Sequence, residues 1–233
     1  MTVTYQVLNL SKGGGSNNLL INPRGKINQL DERDGVLAAG VYFCDGWKAG
    51  ASGAEVYRDP DGFRLISGSI VQLVPNNLDA GRRIRANMDI ISGTPSIRIN
   101  GGGDDVLSNS QQYITVEISG NNSKFTRIIL AESLEIPIYQ QSSNELEQCE
   151  RFLQIISGMF IEGYSFVSGV YVNESIAKKP IGNVAVSYTL NESLNLFSIE
   201  MLDRGSTLNV FLRSNGVGRI FADISNIVLD ARP

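Results

Sequence analysis

Carboxylates are the residues of this chain best placed to do chemistry, because it contains no histidine. That absence removes Ser-His-Asp and Cys-His nucleophilic catalysis, along with the commonest zinc and non-haem iron ligand sets. Two acidic pairs remain, Asp59 with Asp61 and Asp104 with Asp105. Glycoside hydrolysis needs two acids roughly 5 to 10 Å apart across a sugar-binding cleft. Each pair here lies instead in a turn beside glycine or proline, where Asp bonds its own backbone. Hydrolysis is therefore not expected, and the chain reads as non-enzymatic. Asp104 and Asp105, following three glycines at 101–103, could offer hard oxygen ligands to a structural Ca²⁺, and no other cofactor is expected. The turn at 59–62 is flanked by Tyr57, Arg58 and Phe63, which with Asp61 supply aromatic faces to stack on a sugar and polar groups for its hydroxyls. Tyr57, Arg58, Asp61 and Phe63 are thus the candidate ligand-binding residues, and Asp104 with Asp105 the candidate metal ligands.

Other chemically suggestive residues have plainer readings. Trp47 is the single tryptophan, with an aromatic face that could stack on a sugar or pack in the core. Cys44 and Cys149 are too few for a Cys-only metal site, and both are expected to be small core hydrophobes. The glycine triplets at 13–15 and 101–103 lack the strand-to-helix context and the Lys-Ser/Thr of a nucleotide loop.

These residues need a scaffold, and composition indicates which kind. The 233 residues are 42% hydrophobic and only 19% charged, with 24 glycines, a balance that favours short strands joined by polar turns. Twenty basic against 24 acidic residues give a formal charge of −4 with no basic run, so nucleic acid is not an expected partner. The chain has no basic leader with an apolar stretch and no run approaching roughly 20 apolar residues, so neither export nor membrane insertion is expected.

Along the chain, residues 1–18 form an arm ending in a glycine hinge. Residues 19–143 then read as a β-sandwich, with strands at 19–22, 40–48, 55–58, 63–74, 82–91, 96–100, 113–119 and 124–138. Alternation is clearest where Ile114, Val116 and Ile118 oppose Tyr113, Thr115, Glu117 and Ser119. One helix is expected within 144–153, capped by Asn144 with Glu147 three positions on. It should bury Leu146, Cys149 and Phe152, and pair Glu147 with Arg151. Residues 154–233 return to strands, at 166–172, 183–190, 196–202, 207–213 and 219–229, and make a second, smaller β-domain.

Three motifs in order carry a resemblance: NLLINPRGKINQ from Asn18, DGWKAG from Asp45, and ELEQCERF from Glu145. They resemble the patterns "LLINPxFxINQ", "DRWxxG" and "ELxLCQRYF" of the bacteriophage tail-fibre and receptor-binding protein family. Lys178, Lys179, Pro180 and Ile181 stand at that family's "MRxxPT" position, ahead of closing strands at RIFADISNIVLDAR. The chain departs from the pattern at Gly25, where a large apolar residue is common, at Gly46, where Arg is usual, and in lacking the "WxQLE" tryptophan before the helix. The resemblance implies an antiparallel jelly-roll β-sandwich, a short linking helix and a small terminal β-sandwich, assembled as a homotrimer. It implies a virion protein made in a bacterial cytoplasm, attached to other virion proteins through the N-terminal arm and binding a bacterial surface glycan. The other role open to such sandwiches is structural, as a capsid decoration protein or fibre adaptor.

Overall fold

A computed structural model describes residues 17–165, 171–178, 180, 184–204 and 206–233. The first sixteen residues of the expected arm lie outside the described residues, as do most of the strand expected at 166–172 and the motif positions Lys179 and Ile181. Among the described residues the structure is all-β apart from one short helix. Its first part contains β1 (Gly35–Leu37), β2 (Tyr42–Cys44), β3 (Trp47–Asp59), β4 (Gly62–Pro75), β5 (Arg83–Ser92), β6 (Ser96–Ile99), β7 (Asp105–Leu107), β8 (Tyr113–Ser119) and β9 (Ser123–Glu132).

Strand β4 explains how one hydrogen-bonded network becomes two layers. Its start pairs with β9, Phe63 opposite Phe125, while residues 69–75 pair with β8. One layer therefore runs β4-β9-β5-β7 and the other β4-β8-β6, all antiparallel. If the two halves of β4 are taken as the first two strands, this is the pairing order of a jelly roll. Between the layers lie Leu65, Ile70, Ile84, Ile99, Ile114, Val116, Ile118, Ile128 and Leu130, all buried. In β8 the inward and outward residues alternate as the sequence pattern requires.

Phe63 sits at the centre of an aromatic cluster, 5.9 Å from Phe43, 5.5 Å from Trp47 and 5.8 Å from Phe125 between ring centroids. The two glycines that break the family pattern are required here. Gly25 has φ +65, and a Cβ on it would lie 2.6 Å from the Phe63 ring. Gly46 has φ +80, and its Cβ would meet Ile21 at 2.7 Å.

Several sequence expectations change. Residues 19–22 are not a strand: Asn22 takes φ 47, and the backbone of Ile21 bonds the side-chain amide of Gln72 at 2.8 and 3.0 Å instead of a neighbouring strand. Asn18 belongs to the packed body and not to an arm, because its amide bridges Ile128 O and Leu130 N on β9. Strand β9 stops at Glu132, and the backbone beyond it is held by Arg85 at Leu134 O and by Asn87 at Pro137 O. The helix, α1 (Glu145–Glu150), is shorter than expected, and Leu146 is 50% exposed. Its carboxylate Glu147 is taken by the Asn144 side chain, leaving Arg151 outside the expected pair. Cys149 is buried as expected, whereas Phe152 is only half-buried.

After α1 the chain forms β10 (Leu153–Ser165), β11 (Tyr171–Ala177), β12 (Ala185–Leu194), β13 (Leu196–Asp203), β14 (Thr207–Ser214) and β15 (Gly218–Asp230). They make two three-stranded sheets, β10-β15-β12 and β11-β14-β13. Ile161, Leu208, Val210, Leu212, Ile220 and Ile224 form a second, separate core between them. Strand β10 lies outside the strands expected from the sequence.

A polar seam joins the two parts. Arg232 lies 2.7 Å from Glu32, 2.9 Å from Asp230 and 4.2 Å over the Tyr42 ring. The Tyr42 hydroxyl and the Lys48 ammonium both donate to Pro233 O, at 2.5 and 2.6 Å.

Candidate functional site

The turn between β3 and β4 holds the expected ligand-binding residues, and the structure separates their roles. Phe63 is a correction: it is 1% exposed and packs the core, because the residue after the turn is already an inward position of β4. Tyr57 remains partly exposed, its hydroxyl 3.2 Å from Glu55 and its ring 4.7 Å beneath Arg64. The bond to Glu55 raises its pKa, with the charge of Glu55 adding to the effect. Arg58 turns away toward Asp34, which accepts its backbone N–H at 3.0 Å and lies 3.8 Å from its guanidinium. Asp61 is surrounded by cations: Lys26 at 3.2 Å, Arg24 at 3.4 Å and Arg127 at 3.9 Å.

The acidic pair on the other loop does not assemble into a cation cage. The Asp105 carboxylate is gripped by Arg83 at 2.6 and 2.8 Å, with Arg85 at 3.4 Å. The hydrogen bond from Arg83 is the main reason its pKa is lowered. Asp104 is exposed, and its backbone carbonyl accepts Ala86 N–H at 2.8 Å. Among the described residues no three His, Cys, Asp or Glu side chains come together as a metal would require.

The three motifs do meet, but in a buried hub. Asn22, fully buried, folds the INPRGKIN loop by bonding Ile27 N and Ile27 O at 3.0 and 2.7 Å, and it also bonds Asp45 O at 3.1 Å. Buried Asp45 accepts both the backbone N–H and the side-chain amide of Gln29, at 2.8 and 2.7 Å. Gln29 in turn donates to Leu153 O at 2.8 Å, where β10 begins. Trp47 is buried with its indole N–H on Asn22 O at 3.0 Å. The Cys149 sulfur receives Asn22 N–H, and burial is the main reason both Cys149 and Cys44 have raised pKa values. Arg24 completes the hub by holding Glu145 of α1 at 3.1 and 3.2 Å. Asn22, Asp45, Gln29 and Trp47 are therefore spent on positioning backbone.

Beside the hub runs a groove that the sequence did not single out. Its centre is lined by Asn17, Asn18, Tyr139, Gln140, Gln141, Ser142, Glu145 and Gln148. Tyr139 and Gln141 also line a neighbouring cleft with Asp89, Arg127 and Ile138. Asn17, Asn18, Leu20 and Gln148 extend into a third, with Asn77, Arg151 and Phe152. The Tyr139 hydroxyl donates to Glu145 at 2.8 Å, and mainly through burial its pKa is pushed up to about 12. Asn17, Gln140 and Gln141 have no side-chain hydrogen bond to any described residue. Asp61, joined to Glu145 through Arg24, places the β3–β4 turn at the groove's flank. The only signal in the sequence was the polar run Tyr139-Gln-Gln-Ser-Ser-Asn144 between the last strand and the helix.

No protein-family model, curated protein or solved structure matches the chain.

Proposed function

We propose that this is a non-enzymatic bacteriophage virion protein, part of a tail fibre or similar appendage, that binds a bacterial surface glycan. One observation carries the reading: the groove presents side-chain amides with open hydrogen-bonding capacity beside an aromatic ring, on a rigid jelly-roll frame. Such groups meet sugar hydroxyls and the apolar face of a pyranose. The carboxylates beside it favour binding over hydrolysis, since Glu145 is held by Arg24 and Asp61 by three cations. The family resemblance of the motif order supplies the virion setting and the homotrimer. Fluorescently labelled protein should stain bacterial cells, and periodate oxidation of the cell surface should abolish staining. Labelled protein that ignores all cells of a host panel but coats virion heads or tails would reverse the assignment.

A structural role, as decoration protein or fibre adaptor, is favoured by a different observation. The outward face of β10-β15-β12 carries Phe160, 55% exposed and 5.5 Å from Phe221, next to exposed Tyr164 and Leu194. The same face carries the Arg219–Glu162 ion pair and Asp223, and exposed aromatic residues rimmed by charge mark a protein contact. In the first reading it is the contact between subunits of the trimer, and light scattering on the purified chain distinguishes trimer from monomer.

A further inference from the structure

We infer that the groove takes an uncharged, linear oligosaccharide lying lengthwise across Tyr139, a step that rests on the glycan-binding reading and narrows its ligand. The three clefts measure about 350, 220 and 240 Å³ in order from Asp89 to Phe152. Two of them fall below the roughly 300 to 1,000 Å³ range of small-molecule pockets, and the third lies near its lower end. Adjacent clefts share lining residues, so one ligand can occupy all three only if it is elongated and built of small units.

The charges argue for neutrality. Of the ionised groups lining the groove, Glu145 is paired with Arg24 at 3.1 Å and Asp89 with Arg127 at 3.1 Å. Arg151, at one end, is the single cation there without a partner among the described residues. A polyanion would meet one free positive charge on a chain of net charge −4. A neutral polyol meets Asn17, Gln140, Gln141 and Gln148, each able to donate and accept. Tyr139 provides the stacking face, and it is held in advance. Its hydroxyl is tied to Glu145, which Arg24 grips with two hydrogen bonds, so little rotamer freedom is lost on binding. A peptide is the weaker fit, because an extended peptide seeks an unpaired strand edge and most of these walls are loop and helix, with strand residues only at Val74, Pro75, Asp89 and Arg127.

The test is side-chain amide NMR on the ¹⁵N-labelled full chain, titrated with neutral hexasaccharides of glucose, mannose and galactose, with hexagalacturonate, and with a hexapeptide of alternating glycine and serine. At least one neutral hexamer should shift the Asn17, Gln140, Gln141 and Gln148 amide signals, and the trimer of the same sugar should bind more weakly. A Gln140→Ala, Gln141→Ala variant, altered only at exposed loop positions, should keep its melting temperature and lose about tenfold in affinity. The inference is overturned if no neutral hexamer shifts these signals at about 10 mM, if hexagalacturonate or the peptide binds more tightly, or if the variant binds as well as the parent. Cell staining separates this from the broader reading. Staining that the variant retains in full removes the groove and leaves adhesion standing; hexamer binding in the groove without staining of any cell does the reverse.

Discussion

The jelly roll and the C-terminal pair of sheets bury their side chains in different ways. The jelly roll closes over an aromatic cluster of Phe43, Trp47, Phe63 and Phe125, and spends Asn22, Asp45 and Gln29 on a buried polar hub at its rim. Among the described residues the C-terminal core is aliphatic, built on Ile161, Leu212, Ile224 and Leu229, while every residue of β12 except Val186 is exposed. Irregular loops tied by buried polar groups let the first region shape a groove beside its core. The second region instead presents the outer faces of two three-stranded sheets, open to another protein surface. Under the proposed function, binding and assembly fall to different halves of the chain.

The comparison is broken most forcefully through the two cores. Replacing Phe63 with Ala should cost about 3–5 kcal/mol, and replacing Ile224 with Ala about 2–5 kcal/mol. If the cores are separate, the two substitutions lower different unfolding transitions in calorimetry; a shift of the same transition by both would join the regions into one unit. Phe160→Ala, by contrast, should leave the chain's own denaturation midpoint nearly unchanged and reduce the mass seen by light scattering.

The hub tests whether buried polar groups shape the first region. Asp45→Ala removes the acceptor of the Gln29 backbone N–H and leaves its side-chain amide only Leu153 O, and should cost about 1–3 kcal/mol. Loss of stability with retained oligosaccharide binding would show that the groove does not depend on the hub.

The seam between the regions should be sensitive to alkali. Burial pushes the Tyr42 pKa from 10.0 to about 12 in the folded chain. A raised folded pKa means the proton is held more tightly in the native state, so its stabilising contribution is complete below the unfolded pKa and is lost as pH rises through the folded one. Melting temperature should fall between about pH 10 and 12, and tyrosinate absorbance should show Tyr42 ionising late. Tyr139 shifts in the same direction, so Tyr42→Phe should remove part of this slope and not all of it. The smallest effect belongs to Tyr57→Ala, expected within about 0.5 kcal/mol, since its partners Arg64 and Glu55 are surface contacts.

The all-β class, the one helix, the inward thiols and the alternation of β8 were legible because they depend on local composition and on period-two patterning. Phe63 was misplaced because a turn's flanking residue can face either side, and only the register of β4 against β9 turns this one inward. Leu146 was misplaced because α1 ends after Glu150, before its apolar stripe completes a face. Strand β10 lies outside the expected strands, and it is pairing along β15 that holds it.

By itself, then, the chain determined its secondary-structure class and the order of its motifs, since side-chain alternation, turn residues and histidine content are local properties. What those motifs do was settled only in three dimensions. Asn22, Asp45, Gln29 and Cys149 are distant in sequence, and their purpose is visible only once hydrogen bonds close the hub. The groove likewise is made by residues 17–21 lying against 139–152, and no local pattern records it. Contacts across more than a hundred residues depend on loop closure and packing, which sequence periodicity does not encode.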